Sequence, residues 1–338
     1  MVNNAAGEGD RRRSGGLFPF SQIGSRPTAT LPSSSGLDER TAASGPRVGR
    51  VLLFIFGLAL ATTAPATRLE AKSLLWRARS DQGTLYVLGS IHLLRKEDYP
   101  LSPAIEAAFA EARTVAFEVD FGATEPLKLQ TLMAQRGVYR DGRTLPQAIS
   151  EGTYAMAAER AKQLGIDIKT LHPFKPWMVA LTLTSAQLQK LGFDPKYGVD
   201  RHLFERARAA EKAVIGLETP EEQFSLLDAM PPKQQEAMLL QTMKDLERIE
   251  HSVHRLIAAW KAGDQSVMED LVLAGFKEYP DLYQRVMLDR NRRWLARLEA
   301  FLTQSETTLV VIGAGHVVGK GNVIELLRER GYRMEQLR

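Results

Sequence analysis

Two stretches of this chain, far apart in sequence, are built alike. Leu85-Tyr86-Val87-Leu88 runs into Gly89-Ser90-Ile91-His92, and Leu309-Val310-Val311-Ile312 runs into Gly313-Ala314-Gly315-His316. A short apolar run closed by glycine reads as a buried strand. The glycine lets the backbone turn sharply without a Cβ clash. Each histidine is thereby delivered just past the carboxyl end of a strand, the edge at which open α/β sheets bind ligands. One such pattern is a weak signal; two are hard to assign to chance. If the strands run parallel, both imidazoles gather along one sheet edge.

The length of 338 residues, 44% of them hydrophobic, suffices for one large domain or two small ones. A pI near 9.2 suggests a basic protein, but the charge is unevenly placed. Residues 1–50 hold seven Arg against four Asp and Glu, which is +3 of the formal +4 and leaves about +1 for everything after. That balance offers no basic stripe of the kind nucleic-acid binding needs, so no nucleic-acid partner is expected. The absence of cysteine rules out disulfides, thiolate catalysis and cysteine-based zinc sites.

Residues 1–46, rich in Gly, Ser, Ala, Thr, Pro and Arg, read as a disordered leader. Arg47 and Arg50 then precede the apolar run Val51–Leu60, followed by Ala59-Leu60-Ala61 and Ala64-Pro65-Ala66, so 47–66 has the layout of a secretory signal peptide. The run is shorter than the roughly 20 residues a spanning helix needs. The expectation is an exported protein, periplasmic or secreted, with no stable membrane span after cleavage.

Residues 67–338 are read as one domain. Leu74–Ala78 is expected as an edge strand, with Asp81-Gln82-Gly83 turning into the Leu85 strand. Ser102 and Pro103 have the residue types of an N-cap and a first helical position, and Thr114–Asp120 forms the next strand, completing a parallel β-α-β unit. Helices follow over 125–136, 144–164, 174–191 and 199–210, then a strand at 213–218. Further helices cover 220–229, 233–262, 265–273 and from Pro280 to about 303. After the Leu309 strand come a helix at 322–330 and a last strand at 332–337. The long helical stretches read as an insertion between two halves of an α/β sheet.

Four strands thus end in a group able to hold a proton or a metal: His92 and His316 in the two turns, Glu118 in Val115-Ala116-Phe117-Glu118, and Glu218 in Gly216-Leu217-Glu218. Two imidazoles with one or two carboxylates are a common ligand set for zinc, manganese or cobalt. The same groups also serve without metal, histidine as base and glutamate as orienter. Each has a plainer reading: a histidine kept for structure, Glu118 facing solvent on an edge strand, Glu218 at a helix start capped by Thr219. His251 and His254 sit three apart among Glu247, Arg248, Glu250 and Arg255 and read as a solvated face. His172, before Pro173, is expected in an extended turn, and His202 in a charged helix. The run Asp289-Arg290-Asn291-Arg292-Arg293 is either a solvated helix turn or the source of a cation and an amide for the site.

Leu88-Gly89-Ser90-Ile91-His92, Tyr99-Pro100-Leu101, Phe117-Glu118-Val119-Asp120, Leu217-Glu218-Thr219 with Glu222-Gln223, Arg290-Asn291, and Ile312-Gly313-Ala314-Gly315-His316 with Gly319, in this order, resemble the TraB/GumN family. The resemblance covers about 74–338 and implies a mixed, mostly parallel β-sheet wrapped by helices, similar to the erythromycin-esterase fold. The family includes the Tiki metalloproteases. By that resemblance His92, Glu118 and His316 are metal-binding or catalytic, and Glu218, Gln223, Arg290 and Asn291 support them. The reading that follows is an exported metal-dependent hydrolase, peptidase-like, acting on a peptide or protein substrate. Metal-activated water is held by the two histidines and Glu118, with Glu218 as a further metal ligand, the metal being Mn, Co or Zn. Glu118 is ligand or general base, and Arg290 or Asn291 stabilises the oxyanion. Both histidines are expected to cost little stability when removed. A non-enzymatic periplasmic binding protein using the same pocket is the alternative.

Overall fold

Strands covered on both faces read as unbroken apolar runs, and parallel sheets are built from such strands. Three segments meet that description: β2 (Thr84–Ser90), β3 (Thr114–Val119) and β5 (Thr307–Gly313), with every residue buried except the first of β2 and of β5. The computed structural model describes residues 72–122 and 126–338, without the side chains of 126–130, and these belong to one compact unit. The leader expected at 1–46 and the signal peptide expected at 47–66 lie outside the described residues.

With β1 (Leu75–Arg79), β4 (Ala213–Glu218) and β6 (Glu335–Gln336), the strands form a six-stranded sheet in the order β4-β3-β5-β2-β1-β6. β4, β3, β5 and β2 are mutually parallel, while β1 runs antiparallel to β2 and to β6. The sheet is therefore mixed and mostly parallel, as expected. The decisive register is between the two motif strands. Gly89 pairs with Ile312 and Ser90 with Gly313, so both Gly-x-x-His turns leave the same edge side by side. β3 and β4 end at that edge too, with Val119 opposite Glu218.

Helices fill the connections. Ser102 caps Pro103–Glu111 through the Ile105 amide, and this helix carries the chain from β2 to β3. The β3–β4 connection holds helices Pro126–Gly137, Glu151–Gln163, Pro176–Lys190 and Val199–Ala209. The β4–β5 connection holds Pro220–Asp228, Pro232–Asp245, Ile249–Ala262, Gln265–Ala274 and Asp289–Leu302. Helices from both connections build a second apolar core, in which Leu145, Ala157 and Leu183 meet Leu239, Met243 and Leu246. Among the described residues no helix is long and apolar enough to cross a membrane.

Several elements differ from expectation. The helix expected over 233–262 is two, broken at Leu246–Arg248. Its apolar stripe is continuous in sequence, but Leu239, Met243 and Leu246 serve the second core while Ile257 and Trp260 serve the sheet, so the axis must turn between them. The 144–164 helix likewise breaks, with Ser150 capping its longer second part through the Thr153 amide. β1 is internal to the sheet because two residues of β6 pair outside it, and the expected last strand shrinks to that pair. His172 is helical (φ −56°, ψ −38°), closing a 3-10 turn despite the proline after it, and its Nε2 meets the Tyr154 hydroxyl at 2.8 Å.

Candidate active site

The first turn is fixed by what packs on it. The Trp260 indole N–H donates to the Gly89 carbonyl at 2.7 Å, and the Val199 amide donates to the Ile91 carbonyl at 2.9 Å. Gly198 precedes the helix Val199–Ala209, and a Cβ there would collide with the His92 carbonyl, so only glycine permits this close approach. The contact places Asp200, in the first turn of that helix, against the motif. Its Oδ1 accepts from Ser90 Oγ at 2.7 Å, and its Oδ2 lies 2.9 Å from His92 Nδ1. Asp200 is buried, whereas the His92 side chain is 58% exposed. The Asp200 carboxylate pushes the His92 imidazole up to about 9, overcoming the opposing effect of its partial desolvation.

The second turn is buried. His316 is 2% exposed and faces the Trp294 ring at a centroid distance of 4.7 Å. Its Nδ1 lies 2.7 Å from Asn291 Oδ1, and the Asn291 amide nitrogen donates to the Gly321 carbonyl at 3.0 Å. That pairing makes Nδ1 the protonated nitrogen and leaves the lone pair on Nε2. Arg290 Nη1 donates to this Nε2 at 2.9 Å. Burial drives the His316 pKa down to about 3, with the Arg290 charge adding to it and Glu118 opposing, so the ring is neutral at physiological pH.

Both carboxylates converge on Arg290. Glu118 Oε2 accepts from Arg290 Nη2 and from Gln223 Nε2, the latter at 3.0 Å. Its Oε1 accepts the Gly313 amide at 2.7 Å and lies 3.8 Å from His316 Nε2. Glu218 accepts Arg290 Nε at 3.0 Å and Nη2 at 2.6 Å, and Gln223 Nε2 at 3.2 Å. Burial favours protonated Glu118, but Arg290, the two histidines and the Gly313 amide outweigh it and hold the carboxyl far below the usual range. Burial raises Glu218 despite the same arginine. Gly313 lies between the halves of the cluster: a Cβ there would sit 3.1 Å from Glu118 Oε1 and 3.2 Å from His92 Nε2.

The structure therefore brings together His92, Glu118, Glu218, Gln223, Arg290, Asn291 and His316. The helix Asp289–Leu302 splits the polar run, turning Arg290, Asn291 and Trp294 inward while Arg292 and Arg293 stay half exposed or more. Two expectations change. Asn291 is buried behind His316, its Oδ1 accepting from the ring and its Nδ2 donating to the Gly321 carbonyl, so it positions the ring rather than facing a substrate carbonyl. Glu218 pairs with Arg290 rather than standing open as a ligand. Glu118 lies on an inner strand, which excludes its solvent-facing reading. His172, His202, His251 and His254 take no part: His202 packs on Tyr99, His254 on Phe193, and His251 is exposed.

Sequence reasoning missed Asp200, Ser90 and Trp294. Trp294 was legible as the residue one helical turn beyond Arg290, whose guanidinium lies 4.6 Å over its ring. Asp200 had no local signal, because its relation to His92 is made by packing alone. As arranged, no three His, Asp or Glu side chains among the described residues stand ready to share a metal ion. The donor chemistry nevertheless suits one. Each motif histidine is anchored at Nδ1 by an oxygen, the orientation that ligating histidines take. Arg290 stands among the donors.

The uncharacterized protein YbaP of Escherichia coli strain K12 is 27% identical over 245 residues, covering 72% of this chain and 87% of its own. An uncharacterized protein of Treponema pallidum is 20% identical over 283 residues, covering 79% and 83%. Metalloprotease TIKI2 of Danio rerio is 24% identical over 329 residues, covering 80% of this chain and 62% of its own. No solved structure matches. The profile of the TraB/PrgY/gumN family matches residues 74–336. A match that takes in every strand of the sheet and both Gly-x-x-His turns makes this chain a member of the TraB/PrgY/gumN family.

Proposed function

We propose that the chain is an exported metal-dependent hydrolase, peptidase-like, acting on a peptide or protein at the edge where the two Gly-x-x-His turns emerge. One observation carries the proposal. Two imidazoles with Nδ1 anchored to buried oxygen acceptors stand with an ionised glutamate at the carboxyl edge of a parallel sheet. The name of the relative TIKI2 supports the protease class and the metal.

His92, Glu118 and His316 are the residues that would hold a divalent ion, Mn, Co or Zn. The chemistry such an ion supplies is Lewis acidity, which polarises a carbonyl and brings the pKa of water towards neutrality. His316 is already the neutral, Nδ1-protonated tautomer that ligation requires. His92 has to release a proton first. Glu118, held ionised, serves as a ligand by its charge or as the general base. Asp200 and Asn291 are positioning residues that fix the two rings. Arg290 offers the positive charge that developing negative charge on a peptide carbonyl needs.

The test is metal analysis of the purified protein with a peptide-library digest, run with and without chelator. Chelator-sensitive cleavage that metal restores is expected. A protein that holds a peptide without cleaving it would replace the enzyme with a binding protein. Export by the 47–66 signal peptide is tested by amino-terminal sequencing of fractionated native protein, and an intact leader in the cytosol would end that part of the reading.

A further inference from the structure

The donors assigned to a metal are already in contact with a cation. Arg290 Nη2 holds Glu118 Oε2, and Nη1 holds the lone pair of His316 Nε2 at 2.9 Å. Nη1 also donates to the Val286 carbonyl at 3.1 Å, while Nε and Nη2 form a two-pronged pair with Glu218. All three N–H-bearing atoms of the guanidinium are engaged, and the group is buried and permanently charged. It stands where two carboxylates and an imidazole converge, which is where a ligated cation would stand. A nitrogen lone pair serves one partner at a time, so His316 Nε2 cannot meet a metal while it accepts from Nη1.

We propose that Arg290 is the resident cation of this site and that a divalent metal is its alternative occupant, reaching Glu118 and His316 only as the guanidinium withdraws onto Glu218. The inference rests on the metal-dependent reading above and adds a regulatory element to it. Glu218 supplies the fallback. It grips the Nε edge, away from His316, and Arg293 Nη2 lies 3.8 Å from its Oε2. Glu218 is therefore a keeper of Arg290, which accounts for a second glutamate at this edge that faces no open space. Trp294 supplies the reporter, since its ring stacks on the guanidinium and faces His316.

The experiment titrates Zn²⁺ and Mn²⁺ into the chelator-stripped full chain against a chromophoric competing chelator, and follows tryptophan fluorescence in parallel. Arg290→Met is expected to tighten metal binding by about tenfold or more, because no cation has to be displaced. Glu218→Gln is expected to weaken it. Metal should change the fluorescence of the wild type and leave Trp294→Phe unchanged. Arg290→Met leaves two buried carboxylates unpaired, so Arg290→Met/Glu218→Gln, compared with Glu218→Gln, provides the same contrast in a charge-balanced background. Unchanged or weaker binding in both arginine variants, beside normal binding by the wild type, overturns the exchange and leaves the metal-dependent reading intact. Failure of every folded variant and of the wild type to bind metal overturns both.

Discussion

The two Gly-x-x-His turns start from the same four-residue pattern and end in opposite electrostatic states. His92 is exposed with a carboxylate behind it, and is an imidazolium up to about pH 9. His316 is enclosed by Trp294, backed by a neutral amide and capped by an arginine, and stays neutral down to about pH 3. A buried carboxylate favours the charged ring, whereas burial beside a guanidinium disfavours it. The motif thus specifies where an imidazole stands, and its neighbours specify whether it carries a proton. That contrast separates an accessible, proton-carrying histidine from an enclosed one whose lone pair is kept free of protons.

The contrast is broken or sharpened by substitution, and the largest effect is expected at the exposed histidine. His92→Ala should lower peptide hydrolysis by about 10²–10⁴-fold. Glu118→Gln should match it in activity, and its metal affinity divides the possible roles: weakened binding marks a ligand, retained binding with lost turnover a base. Full activity in both variants would remove the enzyme reading.

His316→Ala reverses the balance. It orphans Asn291 Oδ1 and one N–H of Arg290 Nη1 in a buried place, which costs about 2–4 kcal/mol, against the initial expectation of a small stability cost. Urea unfolding across pH measures this, and the same pH dependence for the two alanine variants would refute the difference in burial. The pH dependence carries opposite signs. His316, lowered on folding, contributes stability that is complete above the unfolded value near 6.5 and is lost as pH falls towards 3. His92, raised on folding, contributes stability that is complete below about 6.5 and is lost as pH rises through about 9. His316→Ala should flatten the acid limb of the wild-type stability curve, and His92→Ala the alkaline limb.

A smaller effect is expected from Asp200→Asn, which keeps the shape and removes the charge. NMR titration should find the His92 pKa moved from about 9 back towards 6.5, with His316 still neutral. An unmoved His92 would mean that Asp200 does not set its charge. The smallest effect belongs to His251→Ala on an exposed helix face, within about 0.5 kcal/mol and without change in activity. A measurable loss there would show that the site extends beyond the sheet edge.

Much of this was readable before the structure. The strand ends at His92, Glu118, Glu218 and His316 were legible because each polar residue lies in or just after a short apolar run. The Arg290-Asn291 pair was visible as a choice between two readings, which the i, i+4 face of Arg290, Trp294 and Leu298 decides in favour of the site. The break at Leu246–Arg248 was not legible, since nothing local marks where one apolar stripe passes from one core to another.

By itself the sequence determined the parallel strands, their glycine turns and the set of groups delivered to one edge. These depend on local hydrophobic pattern and backbone freedom, which act over a few residues. Only the tertiary structure decided that Asp200 stands behind His92, that Asn291 stands behind His316, and that one guanidinium joins Glu118 to Glu218. These pairings unite residues that no spacing relates. Charge state follows from burial and from what lies within a few ångströms, and both exist only once the helices have packed on the sheet edge.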